Sequence, residues 1–229
     1  MTLPAFSLEG KTCVVTGAAR GLGKEFLTAF ALSGARGACV DLSLQGGKDS
    51  IAHIKSHISS QPSTSSYTPD LRAYACNVTS ESQVQDTWAS IISDFGKVDV
   101  VVTAAGIVDN VEAENYEYER WKKMIDINLN GSFLFAREAG KYWIEKEIKG
   151  NLILVSSMSS IICVRPQKQA AYNAVRWSRL SNGMNRLMAD FEQSKAAVSL
   201  LGRSLATEVQ PPILLNRAHT DWHILTVGT

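Results

Sequence analysis

Three glycines stand between an apolar run and a helical pattern near the start of the chain. Lys11–Thr16 is a short apolar run rich in β-branched residues, and Thr16–Gly23 then reads TGAARGLG. Apolar residues recur at helical spacing over the next ten positions, so the order predicts strand, tight turn and helix. Glycines in such a turn let the backbone approach a phosphate at the helix N-terminus. The alternative is an ordinary strand-to-helix turn.

A carboxylate ends the next predicted strand. Gly34–Asp41 leaves the helix through glycine and ends in Asp41, about 20 residues past the glycines, as in dinucleotide-binding βαβ units. A carboxylate there accepts hydrogen bonds from both adenosine ribose hydroxyls and repels a 2′-phosphate, so Asp41 favours NAD over NADP. Asp41 could instead be only a turn residue at the strand end. Together with Asp41, the candidate cofactor-binding residues of this unit are Thr16, Gly17, Arg20, Gly21, Leu22 and Gly23.

The remaining pattern alternates strands and helices. The predicted strands are 72–76, 98–103 and 151–156, and the predicted helices are 80–94 and 121–144. The strands at 98–103 and 151–156 contain continuous apolar runs, which indicates burial on both faces and hence a parallel sheet. The fold class is therefore α/β: a doubly wound Rossmann sheet in a three-layer α/β/α arrangement.

The composition limits the kinds of partner that the chain is expected to bind. The 229 residues are 45% hydrophobic with a net charge of +1, which predicts one domain over 1–229 and neither a nucleic-acid surface nor a membrane-binding one. No window reaches about 18 apolar residues and no secretion signal is present, so we expect a cytoplasmic protein. The cysteines are widely spaced with mostly apolar neighbours, which predicts reduced, buried thiols. They are Cys13, Cys39, Cys76 and Cys163.

A histidine pair offers one possible metal site. His53 and His57 are spaced i, i+4 on a probable helix and could hold a metal, but no third ligand is apparent. A solvated helix face is the favoured interpretation, and we expect no metal.

The spacing of the glycines resembles that of the short-chain dehydrogenase/reductase family, whose pattern is T-G-x-x-x-G-x-G. The resemblance runs to about Glu208. Thr103-Ala104-Ala105-Gly106 stands where the family usually has N-N-A-G, and Asn77-Val78 stands where it usually has Asp-Val. The resemblance implies that Ala104, Ala105 and Gly106 offer backbone contacts to the adenine ribose and that the Asn77 amide contacts the adenine ring, beside Val78. It also implies a tendency to form homo-oligomers.

The same resemblance supplies catalytic candidates. Reducing a carbonyl or oxidising an alcohol needs a proton donor whose pKa is lowered by a nearby cation. The family uses Y-x-x-x-K for this, with a serine that polarises the substrate oxygen and an asparagine that holds a relay water. The matching positions are Asn128, Ser157 and Tyr172. Taken singly, such residues commonly cap helices and turns. Residues 156–172 resemble the polyol and ketose reductases of the family, which indicates an alcohol or ketone substrate, such as a sugar alcohol.

The lysine departs from the family pattern. Tyr172-Asn173-Ala174 is followed by Val175–Gln193, and SKAAV resumes only at Ser194-Lys195, so removing 19 residues restores YNASKAAV. A straight helix would place Lys195 about 34 Å from Tyr172. Tyr172 and Lys195 are both candidates for catalysis and for cofactor binding, but Lys195 is displaced along the chain. Arg176, four residues after Tyr172, carries charge but has a wider, differently directed head group than lysine.

Two origins explain the insertion at 175–193. A translated, retained intron is favoured because the segment interrupts the motif cleanly, keeps the reading frame and begins and ends with residues whose codons match common intron ends. The alternative is a natural loop insertion, and the helical spacing of its apolar residues does not decide between them. Residues 209–229 also lack the P-G pair that the family places under the nicotinamide. We therefore expect the last strand to be missing or improvised, with an exposed edge.

Three functions follow. The first is NAD(H)-dependent oxidation of a secondary alcohol or reduction of the ketone, with doubtful activity in this chain. The second is an inactive dinucleotide-binding protein or misprocessed isoform. The third is a Rossmann-like methyltransferase that binds S-adenosylmethionine, against which the serine, tyrosine and asparagine set argues.

Overall fold

The structure is a computed structural model. It describes residues 6–60, 68–157, 159, 168–169, 172, 197–198, 201–202 and 205, together with the backbone of 221–227. Val175–Gln193, Arg176, Lys195 and Cys163 lie outside the described residues.

A parallel sheet organises the fold. Its six strands within the described part of the chain are β1 (Thr12–Thr16), β2 (Arg36–Asp41), β3 (Leu71–Ala75), β4 (Val100–Thr103), β5 (Asn151–Ser157) and β6 (Asp221–Val227). Their spatial order is β3-β2-β1-β4-β5-β6, and every neighbouring pair is parallel. The predicted doubly wound Rossmann sheet is confirmed.

Helices cover both faces of the sheet. They are α1 (Gly21–Leu32), α2 (Leu44–Ser59), α3 (Glu81–Phe95), α4 (Tyr118–Ile125) and α5 (Gly131–Glu145). The prediction of one helix over 121–144 is corrected, because a π-helical turn, Asp126–Asn130, separates α4 from α5. π-Helical turns inside α-helices often occur at functional sites, and this one contains Asn128.

Two apolar clusters explain why the central strands carry continuous apolar runs. On one face of the sheet, Cys13 and Val15 pack with residues of α1 and α2, such as Leu27 and Ile54. On the other face, Val14 packs with residues of α3 and α5. Successive side chains of a strand point to opposite faces, so each must be apolar when helices cover both sides.

The sixth strand comes from the atypical C-terminal segment. The backbone of Asp221–Val227 pairs in parallel with all of β5, in the register Asn151↔Asp221 to Ser157↔Val227. Of the two expected outcomes, a missing or an improvised last strand, the structure shows the second. This strand forms one edge of the sheet.

The structure describes three of the four cysteines and the histidine pair. Cys13, Cys39 and Cys76 are buried and free, whereas His53 and His57 lie at exposed positions of α2. Among the described residues no group of three metal-ligating side chains is found. Across the same part of the chain, none of the helices combines the length and the apolar character that crossing a membrane requires.

Candidate functional site

A cleft lies where the strand order reverses. β1 has β2 on one side and β4 on the other, and the chain crosses to opposite faces of the sheet from this point. In open α/β sheets ligands bind outside the carboxyl ends of the strands at such a switch point. A cleft of about 430 Å³ opens there. Its lining residues are Gly17, Arg20, Gly21, Leu22, Gly23, Asp41, Leu42, Cys76, Asn77, Val78, Ala104, Ala105, Gly106, Ile107 and Ile127.

The glycine turn is shaped by close backbone contacts. Gly17 has φ 69°, and a Cβ there would lie 2.7 Å from the Cα of Ala105. A Cβ on Gly23 would collide with the carbonyl oxygen of Gly17. Neither position therefore accepts a side chain. The first turn of α1 has no acidic residue and no side-chain cap hydrogen bond, so no side-chain cap occupies its backbone N–H groups at the cleft.

Asp41 holds the glycine turn from the next strand. Its Oδ2 accepts a hydrogen bond from the Ala19 N–H at 3.0 Å, and its Oδ1 accepts one from the Ser43 N–H at 3.2 Å. An ionised carboxylate has about four acceptor positions, so two remain for ligand hydroxyls. The Asp41 carboxylate is thereby fixed at the edge of the cleft before any ligand arrives.

Thr16 connects the two halves of the cleft. Its side chain is buried at the carboxyl end of β1, and its Oγ1 accepts a hydrogen bond from the Ala105 N–H at 3.1 Å. This contact sets the position of the Ala104–Gly106 backbone relative to the glycine turn. Thr16 thus acts behind the cleft lining, whereas all the other predicted residues of the first 106 positions form that lining.

Asn77 and Val78 form the cleft wall after β3. The Asn77 carboxamide oxygen accepts hydrogen bonds from the Thr79 N–H at 3.1 Å and the Thr79 hydroxyl at 2.9 Å. Because the oxygen is engaged in this turn, the Nδ2 donor is the group that remains to contact an adenine ring. Val78 packs so closely on α5 that a Cβ on Gly131 would lie 2.7 Å from its Cγ2.

Four lining residues escaped the sequence prediction: Leu42, Cys76, Ile107 and Ile127. All four are chain neighbours of predicted residues, Ile127 being next to Asn128, so extending each motif by one position would have found them. Ile127 lies in the π-helical turn, which the sequence pattern did not show. Burial raises the pKa of the Cys76 thiol, so it is a neutral apolar part of the wall.

Asn128 is fully buried in the π-helical turn. Its Oδ1 accepts the Ile107 N–H at 2.9 Å, and its Nδ2 donates to the Ile107 carbonyl at 3.0 Å. The carboxamide therefore clamps the loop that leaves β4. The Asn128 carbonyl accepts the Ser132 hydroxyl at 2.8 Å.

Ser157 and Tyr172 are not among the residues that line the cleft. Ser157 is buried at the end of β5, with its Oγ 3.1 Å from the Ser159 Oγ and hydrogen-bonded by the Ser159 N–H at 3.2 Å. Tyr172 is half-buried. Lys195 lies outside the described residues.

The loop after β4 is held from two sides. Asp109 pairs with Arg120 of α4 at 2.6 Å and accepts the Tyr116 hydroxyl at 3.3 Å. On its other side Glu112 pairs with Lys168, and the Val111 N–H donates to the Lys168 carbonyl at 2.9 Å. Lys168, four residues before Tyr172 in the sequence, is thus attached to this loop.

Comparison with known proteins identifies the family. The short chain dehydrogenase family model matches residues 11–189. The chain belongs to the short-chain dehydrogenase family. This membership sets aside the methyltransferase alternative.

Its relatives include sugar-alcohol enzymes. The chain is 36% identical over 176 residues to a sorbose reductase of Candida albicans, covering 76% of this chain and 59% of the relative. It is 34% identical over 173 residues to an NADP-dependent mannitol dehydrogenase of Alternaria alternata, covering 75% of this chain and 62% of that one. The chain thus spans about three fifths of the length of these relatives.

A solved structure supports the fold. The crystal structure of gox2181 aligns with a TM-score of 0.73 at 31% identity, covering 89% of this chain and 68% of that one.

Proposed function

We propose that this chain binds NAD(H) in the switch-point cleft and that its site serves the oxidation of a secondary alcohol, or the reduction of the matching ketone, on a sugar alcohol. The supporting observation is the cleft itself, where backbone N–H groups of α1, a glycine turn closed to side chains and the fixed Asp41 carboxylate converge. The names of the relatives point to the substrate class.

The cofactor preference rests on Asp41. A 2′-phosphate beside its carboxylate would meet like charge, which costs free energy in a partly buried site. Arg20, which also lines the cleft, is the nearest source of opposing charge on the glycine turn. The mannitol dehydrogenase relative is named NADP-dependent, so the preference for NAD needs direct measurement.

Fluorescence titration with NADH and NADPH measures this preference. We expect NADH to bind the unmodified chain more tightly than NADPH. Asp41→Ser should weaken NADH binding and strengthen NADPH binding, so that the ratio of the two Kd values changes about tenfold and the order reverses. Asp49→Ser, an exposed aspartate of α2, is the control. Equal NADH and NADPH affinities in both the unmodified chain and Asp41→Ser would contradict the assignment.

Four side chains carry the proposed chemistry. A bound nicotinamide supplies hydride transfer. The Tyr172 phenol exchanges a proton with the substrate oxygen, and the Ser157 hydroxyl donates a hydrogen bond to that oxygen. Asn128 fixes the loop at Ile107. By the family pattern it also holds a proton-relay water. Lys195 is the cation that the family pattern pairs with the tyrosine.

The insertion makes a second function plausible, that of a dinucleotide-binding protein with little turnover. In the sequence 19 residues, 175–193, separate Tyr172 from the segment that contains Lys195. We propose that residues 175–193 are a translated, retained intron within a single domain over 1–229. We also propose that residues 209–229 replace a family-type C-terminus. Sequencing the transcript tests the origin, because a spliced message that always encodes 175–193 refutes it.

One comparison separates the two functions. NADH binding and NADH oxidation with a ketose panel are measured for the full chain and for a variant that lacks 175–193 and carries the C-terminal segment of the sorbose reductase relative. We expect both to bind NADH and only the variant to turn over ketoses briskly. Brisk turnover by the full chain refutes the inactive alternative. Binding without turnover by both proteins refutes the proposed role of the insertion.

A further inference from the structure

Gln169 has a buried acceptor that receives no hydrogen bond from the described residues. Its side chain is 6% exposed, and its Oε1 has no hydrogen-bond partner in the part of the chain that the structure describes. A buried polar atom left unpaired costs about 1–3 kcal/mol, so buried carboxamides are nearly always paired. A donor from outside the chain would remove this cost.

The neighbouring residue fixes where Gln169 lies. The Lys168 carbonyl accepts the Val111 N–H at 2.9 Å, and the Lys168 ammonium pairs with Glu112. Both partners belong to the loop that leaves the carboxyl end of β4. A residue tethered through backbone and side chain loses little further freedom when a ligand binds, which favours binding.

This loop is itself anchored beside the cleft. Asn128 clamps it at Ile107, which lines the cleft, and Arg120 holds it at Asp109. Gln169 therefore lies on a segment tied to the loop that closes one side of the cleft. It also precedes Tyr172, the proposed proton donor, by three residues.

We propose that the Gln169 carboxamide oxygen accepts a hydrogen bond from a hydroxyl of a polyhydroxy substrate, on a carbon other than the one that reacts. This inference rests on the proposed function, which places the reacting oxygen at Tyr172 and Ser157. A sugar alcohol carries a hydroxyl donor on every carbon, whereas a simple secondary alcohol has none beyond the reacting one. A site that pairs a buried polar group with a substrate hydroxyl rejects analogues without it.

The test measures binding rather than turnover, with the full chain saturated with NADH. Isothermal calorimetry gives the Kd of D-mannitol and of 2-hexanol, which has the same carbon chain but one hydroxyl. The variants are Gln169→Leu, which removes the acceptor, and Gln169→Glu, which keeps one. Gln45→Leu, at an exposed position of α2 where Gln45 contacts only Asp49 among the described hydrogen bonds, is the matched control.

We expect Gln169→Leu to weaken mannitol binding at least tenfold while the Kd of 2-hexanol and of NADH change less than twofold. Gln169→Glu should retain mannitol binding within about threefold. The inference is overturned if Gln169→Leu leaves mannitol binding unchanged, as when a water occupies the acceptor, or weakens both alcohols equally, as for a structural role. NADH binding with no mannitol binding by the unmodified chain also overturns it. Absence of NADH binding would instead refute the proposed function.

Discussion

The same substitution at two buried threonines on adjacent strands should change the free energy of unfolding in opposite directions. Thr16 and Thr103 are register partners at the carboxyl ends of β1 and β4, and each is 1% exposed. Thr16 Oγ1 accepts the Ala105 N–H at 3.1 Å, whereas Thr103 Oγ1 has no partner within the described ranges. Replacing either residue with valine removes a hydroxyl at nearly constant shape.

The contacts give the sign and size of each effect. Thr16→Val leaves the half-buried Ala105 N–H without its acceptor, which should lower the free energy of unfolding by about 1–2 kcal/mol. Thr103→Val removes a hydroxyl that is desolvated without a hydrogen bond, so the free energy of unfolding should stay equal or rise by up to about 1 kcal/mol. For a chain of this size each kcal/mol corresponds to about 2–4 °C in Tm.

Urea denaturation followed by far-UV circular dichroism measures both effects. The midpoints should move apart at an unchanged m-value, because neither change alters the surface exposed on unfolding. Thr16→Val should also weaken NADH binding, since Ala105 lines the cleft, and Thr103→Val should not. A loss of stability from Thr103→Val as large as that from Thr16→Val would refute the reasoning.

Three further outcomes follow from single sites. Burial raises the pKa of Asp99, but hydrogen bonds from the Thr12 N–H and two lysines outweigh it and lower the pKa overall, so its stabilisation is present above about pH 4 and is lost as the pH falls. Asp99→Asn should therefore flatten the acid side of a plot of urea midpoint against pH. Asn128→Leu breaks two reciprocal backbone contacts and should lower the free energy of unfolding by about 2–4 kcal/mol in urea titrations. Burial and a nearby carboxylate raise the pKa of Cys13 and of Cys39 to about 12, so iodoacetamide at pH 8 should label neither before urea unfolds the chain, as read by mass spectrometry.

Each of these has a contrary result. An unchanged acid limb in Asp99→Asn, a urea midpoint of Asn128→Leu within error of the unmodified chain, or rapid labelling of the two thiols in the native protein would contradict the corresponding contact. Asp49→Asn, at an exposed position of α2, is the control for the pH series.

Part of the site lies in short motifs and was predictable. The glycine turn, Asp41, Asn77-Val78 and Ala104–Gly106 all follow strand ends, and a parallel sheet brings the carboxyl ends of its strands to one edge. Strand periodicity and turn residues are local signals, so the sequence alone placed these positions together.

The contacts among those motifs required the folded chain. Asn128 engages Ile107, 21 residues away, and Asp41 engages Ala19, 22 residues away. A side-chain amide or carboxylate can pair with many partners, and only packing selects one. The π-helical turn likewise has no periodicity of its own that would separate it from the helices on each side.

The sequence by itself determined the alternation of apolar strands and helices, the glycine turn and the family, because each depends on residues close together in the chain. The tertiary structure alone decided that the Thr16 hydroxyl accepts a hydrogen bond while the Thr103 hydroxyl has no partner among the described residues, and that Lys168 ties Gln169 to the loop after β4. These outcomes depend on groups that are distant in sequence. Because the groups are buried, a missing hydrogen bond between them costs free energy.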